Sequence, residues 1–290
     1  MKDFRGKTAF VTGGASGIGY GMARAFGGEG MNVVIADINL AAAKAAADRL
    51  AAEQIKAVPV KVDVTERASM KSAALEAIAA FGKIHVLCNN AGVGVGAAFG
   101  AMPESDWDWV IDVNLKGVVY GAETFVPLIK SHGEGGHIVN TASLAGMFTA
   151  PGMEAYSATK FAVVAMSEGW AMQLAPQGIG VSVLCPGVVA TNIYACGDSK
   201  QDKYGGKADA IIGSKEMIQA GIDPSIVGQR VVEAVKANEL YIITHPNFRD
   251  IVERRLDGIR AAFDSADRSE ALKQVKNWLP TGNVPAPGNG

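Results

Sequence analysis

Residues 8–19 read TAFVTGGASGIG, a short apolar run that ends in a glycine-rich turn. The apolar run is typical of a buried β-strand, and a helical segment follows the turn directly. A strand, a turn and a helix in this order bring bare backbone N–H groups and a helix amino end to one point, where a pyrophosphate can bind. We therefore predict phosphate contacts from Gly13, Ser16, Gly17, Ile18 and Gly19.

The turn alone is weak support for a nucleotide site, because its glycines depart from the generic G-x-G-x-x-G pattern at Met22. A second apolar run ends at Asp37, about 20 residues after the turn, which is the spacing of a ribose-binding carboxylate. Such a carboxylate repels a 2′-phosphate, and no lysine or arginine stands at residues 13–19 or 38–40. Asp37 therefore favours NAD over NADP, unless it only caps the following helix.

Seven short apolar runs alternate with longer segments rich in alanine, leucine, glutamate and lysine. The predicted strands are residues 8–12, 32–37, 57–63, 84–89, 137–143, 180–186 and 240–244. Most of them are apolar on both faces, which indicates a sheet covered on both sides. The predicted crossover helices are residues 41–54, 66–81, 106–130 and 156–174. The sequence thus predicts an α/β fold, a single doubly wound parallel sheet of the Rossmann type.

The predicted Rossmann domain spans residues 1–247, and Ser105 is the expected N-cap of the helix at residues 106–130. Residues 248–282 carry apolar side chains at helical spacing. This pattern predicts a helical extension that packs on the domain or on a neighbouring subunit. Residues 283–290, rich in proline and glycine, are predicted to form a flexible tail.

Charge and hydropathy argue against two classes of partner. The chain has 290 residues, of which 49% are hydrophobic, and a formal net charge of −2 at pH 7. It therefore offers no basic field to nucleic acid or to an anionic membrane surface. Its apolar runs are broken well before the ~18 residues that a membrane-spanning helix needs. The first residues lack the apolar segment of a signal peptide, so we expect a cytoplasmic protein.

Cysteine and histidine predict neither a disulfide framework nor a metal site. The three cysteines are Cys88, Cys185 and Cys196, and the first two end apolar runs, where a free thiol packs as a small hydrophobe. The four histidines are not closely spaced with one another or with cysteine. A metal site would therefore have to be assembled from distant residues, and we predict none.

Tyr156 and Lys160 lie four residues apart at the start of a predicted helix, so their side chains share one face. Such a pair by itself usually marks a solvated face. Ser143, however, ends the fifth predicted strand at the sheet edge that also presents the glycine-rich turn. The three side chains are therefore expected to meet at one site.

The oxidation of an alcohol to a ketone needs a group that takes the hydroxyl proton. A free phenol titrates near ~10, so Tyr156 can do this at neutral pH only if its pKa falls by about 3. An ammonium about 4 Å away, helped by the positive ring of oxidised nicotinamide, supplies energy of that order. We therefore predict Tyr156 as the acid/base, aided by Lys160, with Ser143 bound to the substrate oxygen.

At these residues the chain resembles the short-chain dehydrogenase/reductase family over roughly residues 5–245. Residues 12–19 are similar to the family's cofactor loop, and the NNAG sequence at residues 89–92 resembles the signature of its fourth strand. Ser143 and the YSATK sequence at residues 156–160 resemble its catalytic pattern. The resemblance implies a dinucleotide-dependent oxidoreductase.

The resemblance also implies roles that spacing alone leaves open. Asn114, on or beside a buried helical stripe, would hold a water in a proton relay with Lys160. Asp63 and Val64 would contact adenine, and Thr191 the nicotinamide carboxamide. Beyond the glycine-rich turn, the implied dinucleotide-binding residues are Asp37, Asp63, Val64, Asn90, Ala91, Gly92, Tyr156, Lys160, Pro186, Gly187, Val189 and Thr191.

The family resemblance further implies a sheet order of 3-2-1-4-5-6-7 and a homodimer or homotetramer joined through the two long helices. The apolar candidates for the outer faces of these helices are Val119, Phe125, Phe161, Met166 and Trp170, although the core is an alternative place for each of them. A narrower likeness links residues 137–146, residues 240–246 and the carboxyl extension to bacterial Cα-dehydrogenases. Those enzymes oxidise benzylic alcohols of lignin-derived aryl ethers.

Three loops are expected to surround the substrate, because they follow the strand ends nearest to the proposed nicotinamide. They are residues 93–102, 144–153 and 192–219, the last within a substrate loop of about 190–222. Their apolar side chains, including Phe99, favour a sizeable apolar or aromatic alcohol or ketone. Residues 197–207 are predicted to form a mobile lid.

Two alternatives stay open at this point. One is an NADPH-dependent ketone or 3-oxoacyl-thioester reductase, against which Asp37 argues. The other is a non-catalytic dinucleotide-binding sensor or scaffold. A binding-only protein has no need of a phenol and an ammonium together, so the set Asn114, Ser143, Tyr156 and Lys160 favours the enzyme.

Overall fold

The computed structural model describes residues 1–207 and 213–277, so the predicted tail at residues 283–290 lies outside the described residues. Seven parallel strands form one sheet in the order β3-β2-β1-β4-β5-β6-β7, as predicted. The strands are β1 (Thr8–Thr12), β2 (Asn32–Asp37), β3 (Ala57–Lys61), β4 (Val86–Asn89), β5 (Gly136–Thr141), β6 (Ile179–Cys185) and β7 (Tyr241–Ile243).

Helices cover both faces of the sheet. They are α1 (Gly17–Gly28), α2 (Leu40–Ala52), α3 (Arg67–Phe81), α4 (Glu104–Ile111), α5 (Gly117–Ser131), α6 (Glu154–Leu174), α7 (Lys215–Gln219), α8 (Pro224–Ala237) and α9 (Arg249–Asp267). Successive side chains of a strand point to opposite faces. Accordingly, Phe10 of β1 belongs to one apolar core with Phe125, and Val11 belongs to a second core with Phe26. The strands are apolar on both faces because each face has its own core.

The predicted helix at residues 106–130 is two helices joined by a π-helical turn at Asp112–Lys116. It also begins earlier than expected, since Pro103 is the N-cap and Glu104 and Asp106 lie in the first turn, near the positive end of the helix dipole. Ser105 is therefore inside the helix. A π-turn adds one residue to a turn, and this one contains the fully buried Asn114.

Phe125 was expected on an outer face, and that prediction is wrong. It is fully buried, with its ring centroid 4.3 Å from that of Phe10. The reason is the helical period of α5, which aligns Val118, Ala122, Phe125 and Ile129 on the stripe that faces the sheet.

Two further parts of the chain matter for the surroundings of the site. Strand β3 ends at Lys61, two residues before the predicted end, because the Asp63 side chain accepts the Thr65 N–H and starts a turn. At the other end of the chain, α9 has no fully buried side chain, and Phe263 is 71% exposed.

Within the described parts of the chain, no helix has both the length and the hydropathy to cross a membrane.

Candidate active site

The glycine-rich turn lies at the carboxyl end of β1 and leads into α1. Gly13 and Gly17 adopt positive φ angles of 61° and 51°, which a side chain disfavours. Ser16 is the N-cap of α1, yet its side chain makes no capping hydrogen bond. The N–H groups of the first turn of α1 are therefore left for another acceptor. This arrangement fits the pyrophosphate of a dinucleotide.

Close packing of the turn against two other loops explains its glycines. A Cβ added at Gly19 would lie 2.2 Å from the Gly13 carbonyl oxygen and 2.6 Å from Asn90 Nδ2. A Cβ added at Gly17 would lie 2.9 Å from Thr191 Cγ2. Three of the segments predicted to bind the dinucleotide therefore meet at one point.

The loop after β4 is held against β1 by Thr12. Its Oγ1 accepts the backbone N–H groups of Asn90 (2.9 Å) and Ala91 (3.0 Å) and donates to the Cys88 carbonyl oxygen (3.2 Å). Asn90 Nδ2 donates in turn to the Thr12 carbonyl oxygen at 3.0 Å. These bonds fix Asn90, Ala91 and Gly92 beside the glycine-rich turn.

Two carboxylates lie at the end of the groove nearest β2 and β3. Asp37 accepts hydrogen bonds from the N–H groups of Ala15 (3.2 Å) and Asn39 (3.0 Å) and remains partly exposed. A positive charge also lies at this end of the groove and was not predicted, because Arg49 lies on α2 and outside the ranges that were searched for cations. Arg49 donates to the Ala15 carbonyl oxygen at 3.4 Å. The Asp63 carboxylate accepts the N–H and O–H groups of Thr65.

Residues 193–207, which we call the strap, cross the groove toward Asp63. Gln201 Nε2 donates to both oxygens of Asp63, at 3.2 and 3.1 Å. The buried Tyr204 donates to Asp112 Oδ2 at 2.6 Å. The predicted mobile lid at residues 197–207 is therefore tied to the rim of the groove in this structure. Part of the predicted substrate loop, residues 208–212, lies outside the described residues.

The predicted catalytic side chains meet at the middle of the sheet edge. Tyr156 and Lys160 lie on α6, both nearly buried, with Lys160 Nζ 5.5 Å from the centroid of the Tyr156 ring. Lys160 Nζ donates to the Thr141 carbonyl oxygen at 3.0 Å. Ser143 follows β5, and its Oγ accepts the Ala145 N–H at 3.1 Å and lies 3.4 Å from the Pro186 carbonyl oxygen.

Burial sets the protonation of this group in the protein alone. It raises the pKa of Tyr156 to about 12, and the hydrogen bond with Ser143 offsets only a part of that rise. Burial also lowers the pKa of Lys160 to about 8. The low pKa expected for Tyr156 is thus not present in the protein without a dinucleotide, because Lys160 points its amine at Thr141 and the phenol has lost its hydration.

Asn114 does not line the groove but lies directly behind it. Its Oδ1 accepts the Val93 N–H at 2.8 Å, and its Nδ2 donates to the Val93 carbonyl oxygen at 2.9 Å. A Cβ added at Gly92 would lie 3.4 Å from Asn114 Oδ1 and 3.5 Å from Lys160 Nζ, so both side chains face this glycine. The side chain of Asn114 fixes Val93, and its predicted water relay stays a prediction.

All but two of the predicted site residues line one continuous groove. The exceptions are Asn114 and Val189, which is buried and pairs with Ile222. The groove wall also includes Trp109 and Thr141, which were not predicted to lie at the site, and Gln201, which was predicted only as a part of the substrate loop and lid. The only signal at Trp109 was an apolar helix face, and nothing in the sequence indicated that Gln201 would contact Asp63. Phe99 was expected near the substrate but is 97% exposed.

One cluster of metal-type side chains lies near the opposite edge of the sheet, although the histidine spacing gave no hint of it. The candidate ligand atoms of His85, His132 and Glu134 lie within 4.8 Å of one another. His85 Nδ1 accepts the Thr8 N–H, and its Nε2 lies 3.0 Å from Glu134. His132 Nδ1 accepts the Glu134 N–H, and its Nε2 lies 2.9 Å from the Ile84 carbonyl oxygen. Each ring nitrogen thus has a hydrogen-bond partner, and none has a lone pair left for a metal.

Comparison with known proteins adds to this geometry. Residues 7–202 match the family described as short chain dehydrogenase. A C alpha-dehydrogenase of Sphingobium sp. (strain NBRC 103272 / SYK-6) is 36% identical over 265 residues, which cover 89% of this chain and 87% of that protein. A CLA biosynthesis dehydrogenase/reductase of Lactiplantibacillus plantarum is 33% identical over 271 residues, which cover 89% of this chain and 95% of that protein.

A solved structure is similar over nearly its whole length. It is a short chain dehydrogenase/reductase from Burkholderia phymatum in complex with NAD. The two chains are 33% identical and superimpose with a TM-score of 0.86, covering 90% of this chain and 97% of that one.

Proposed function

The chain belongs to the short-chain dehydrogenase family of oxidoreductases, and from that premise we propose that it interconverts a secondary alcohol and a ketone with NAD(H), using Tyr156 as acid/base. The observation that carries the proposal is one groove. It is lined by the glycine-rich turn at one end and by Ser143, Tyr156 and Lys160 further along. The catalytic group therefore lies within reach of whatever the turn binds.

In this proposal the backbone of the glycine-rich turn binds the pyrophosphate, and Asp37 accepts hydrogen bonds from the adenosine ribose. Asp63 and Val64 bind adenine, and residues 90–92 lie along the middle of the dinucleotide. The nicotinamide end is bound by the residues of the groove wall nearest the catalytic group, Tyr156, Lys160, Pro186, Gly187 and Thr191. The bound dinucleotide supplies the hydride acceptor for oxidation and the hydride donor for reduction.

The chain's own residues handle the proton. Ser143 holds the substrate oxygen beside the Tyr156 hydroxyl. In ketone reduction the neutral phenol donates its proton to that oxygen, and in alcohol oxidation the phenolate accepts the alcohol proton. With a pKa of about 12 in the protein alone, Tyr156 is poised as the acid. Oxidation requires that the pyridinium and Lys160 together lower that pKa.

The nature of the groove wall supports an apolar substrate. The groove wall includes Val93, Val113, Ile193 and Cys196. Side chains of this kind favour a hydrophobic or aromatic substrate over a small charged acid. A benzylic secondary alcohol of an aryl ether is the substrate class that we propose to test first.

A panel of secondary alcohols and ketones, followed by NADH absorbance, tests the proposal. We expect turnover of bulky aryl alcohols with NAD, at a kcat/KM at least about tenfold above that with NADP, because a 2′-phosphate would lie against the Asp37 carboxylate. Replacement Asp37→Ala should bring the kcat/KM values with NAD and NADP closer together, because it removes the carboxylate that repels the 2′-phosphate of NADP.

The same panel separates the alternatives. A strong preference for NADPH with ketones or 3-oxoacyl thioesters would limit Asp37 to its backbone contacts with Ala15 and Asn39, since Asn39 and not Asp37 caps α2. Tight binding of NAD without turnover of any alcohol or ketone would instead favour a sensor or scaffold.

A further inference from the structure

His245 lies just beyond β7 and is not part of the groove wall, yet its hydrogen bonds reach the turn at Gly187 and Val188. Its Nδ1 accepts the Gly187 N–H at 3.1 Å and also lies 2.7 Å from the Thr244 hydroxyl oxygen, which can donate to it as well. A backbone N–H can only donate, so Nδ1 carries no proton and the neutral ring holds its proton on Nε2. That Nε2 donates to the Val188 carbonyl oxygen at 3.0 Å. The ring therefore bridges the donor and the acceptor of consecutive residues.

The fit of the ring against this turn is close. A Cβ added at Gly187 would lie 2.7 Å from His245 Cγ, so no residue larger than glycine fits there without movement. On its other side the turn is held by the Pro186 carbonyl oxygen, which accepts the Leu144 N–H at 2.9 Å. Leu144 directly follows Ser143. The turn thus lies between His245 and the segment that carries Ser143.

The ring is also joined to the substrate side of the site. Phe248 packs edge-on against His245 with centroids 6.1 Å apart, and it stacks on Phe148 at 6.0 Å. Phe148 belongs to the loop between Ser143 and Tyr156. His245 therefore makes contacts toward both loops that flank the proposed nicotinamide end.

We propose that His245 is a positioning residue that orders the turn at Gly187 and Val188 for the nicotinamide end of the dinucleotide. This inference rests on the proposed function, in which Pro186, Gly187 and Thr191 bind that end. His245 acts through the backbone of the turn. Removal of the His245 side chain is therefore expected to weaken the binding of the nicotinamide end of the dinucleotide and to leave the binding of its adenine and pyrophosphate end unchanged.

Calorimetric binding of two probes to the full chain tests this inference. One probe is NAD, and the other is ADP-ribose, which has the adenosine and pyrophosphate parts but no nicotinamide. In His245→Ala we expect the Kd for NAD to rise about tenfold, as follows from losing two ordering hydrogen bonds, with the Kd for ADP-ribose unchanged. His245→Gln keeps an N–H donor for Val188 and should recover part of the NAD affinity.

The control is His132→Ala at the opposite edge of the sheet, which should change neither affinity. Equal losses for NAD and ADP-ribose in the His245 variants, or no loss for either, would overturn the positioning role. The same would follow if His132→Ala gave a loss for NAD as large as that in His245→Ala. Failure of the unaltered chain to bind either probe would contradict the proposed function itself, so the two failures are distinguishable.

Discussion

Replacement Tyr156→Phe should lower kcat about 10³-fold and leave the Kd for NAD within about threefold of its value in the unaltered chain. The phenyl ring fills the same space in the core but has no proton to exchange with the substrate oxygen. The replacement removes only the hydroxyl group, whose side-chain hydrogen-bond partner is Ser143, so the fold should be little affected. Steady-state kinetics with an alcohol from the panel, together with NAD binding, measures both quantities.

A matched variant is Tyr120→Phe, which removes a phenol from the outer side of α5. The Arg67 guanidinium over the Tyr120 ring, 4.1 Å from its centroid, keeps its stacking partner in that variant. We expect near-unaltered kcat there. If Tyr156→Phe also retained most of its kcat, Tyr156 would have no acid/base role.

Replacement Lys160→Met should lower kcat by about 10²-fold or more, because methionine has a similar length but no charge to stabilise a phenolate.

The same replacement should change how the free energy of unfolding depends on pH. The folded-state pKa of Lys160 is lowered from 10.5 to about 8, so between these values the unfolded chain binds more protons than the folded one. This lysine therefore destabilises the fold below about pH 8, and its contribution improves as the pH rises toward 10.5.

The size of that effect follows from the pKa difference and is about 3 kcal/mol at most. Urea unfolding between about pH 8 and 10 should show a gain in the free energy of unfolding of the unaltered chain relative to Lys160→Met. Lys130→Met, at an exposed position of α5, serves as the control and should keep both the activity and the pH dependence. Identical pH dependence in the unaltered chain and Lys160→Met would mean that Lys160 is not buried as a cation.

The residues that sequence reasoning placed well belong to local patterns. Tyr156 and Lys160 share a helix face because they are four residues apart, and Asp37 ends a strand that its composition identifies. The strand ends bring such residues to one sheet edge by topology alone. Each of these inferences needs only a short window of sequence and the rule for parallel sheets.

The residues that it missed depend on contacts between distant segments. Gln201 reaches Asp63 across 138 positions, and His85 meets His132 although β4, α4 and α5 lie between them in the chain. Neither contact has a period or a motif. Phe125 shows a related limit, since helical spacing defines an apolar stripe but cannot say which of two stripes faces the sheet.

The protonation of Tyr156 lay outside sequence reasoning for a different reason. Coulomb's law with one nearby cation accounts for the attraction but not for the loss of hydration on burial, which dominates in the protein alone. The two contributions have opposite signs. The balance between them is the point on which oxidation at neutral pH depends.

A tyrosinate titration measures that balance directly, as the difference in ultraviolet absorbance between the unaltered chain and Tyr156→Phe over a range of pH. Without dinucleotide we expect no tyrosinate signal from this residue below about pH 9, in line with its pKa of about 12. With saturating NAD the signal should emerge near neutral pH, and with NADH, which lacks the positive ring, the change should be much smaller. A phenol that ionises at the same high pH with and without NAD would contradict the account.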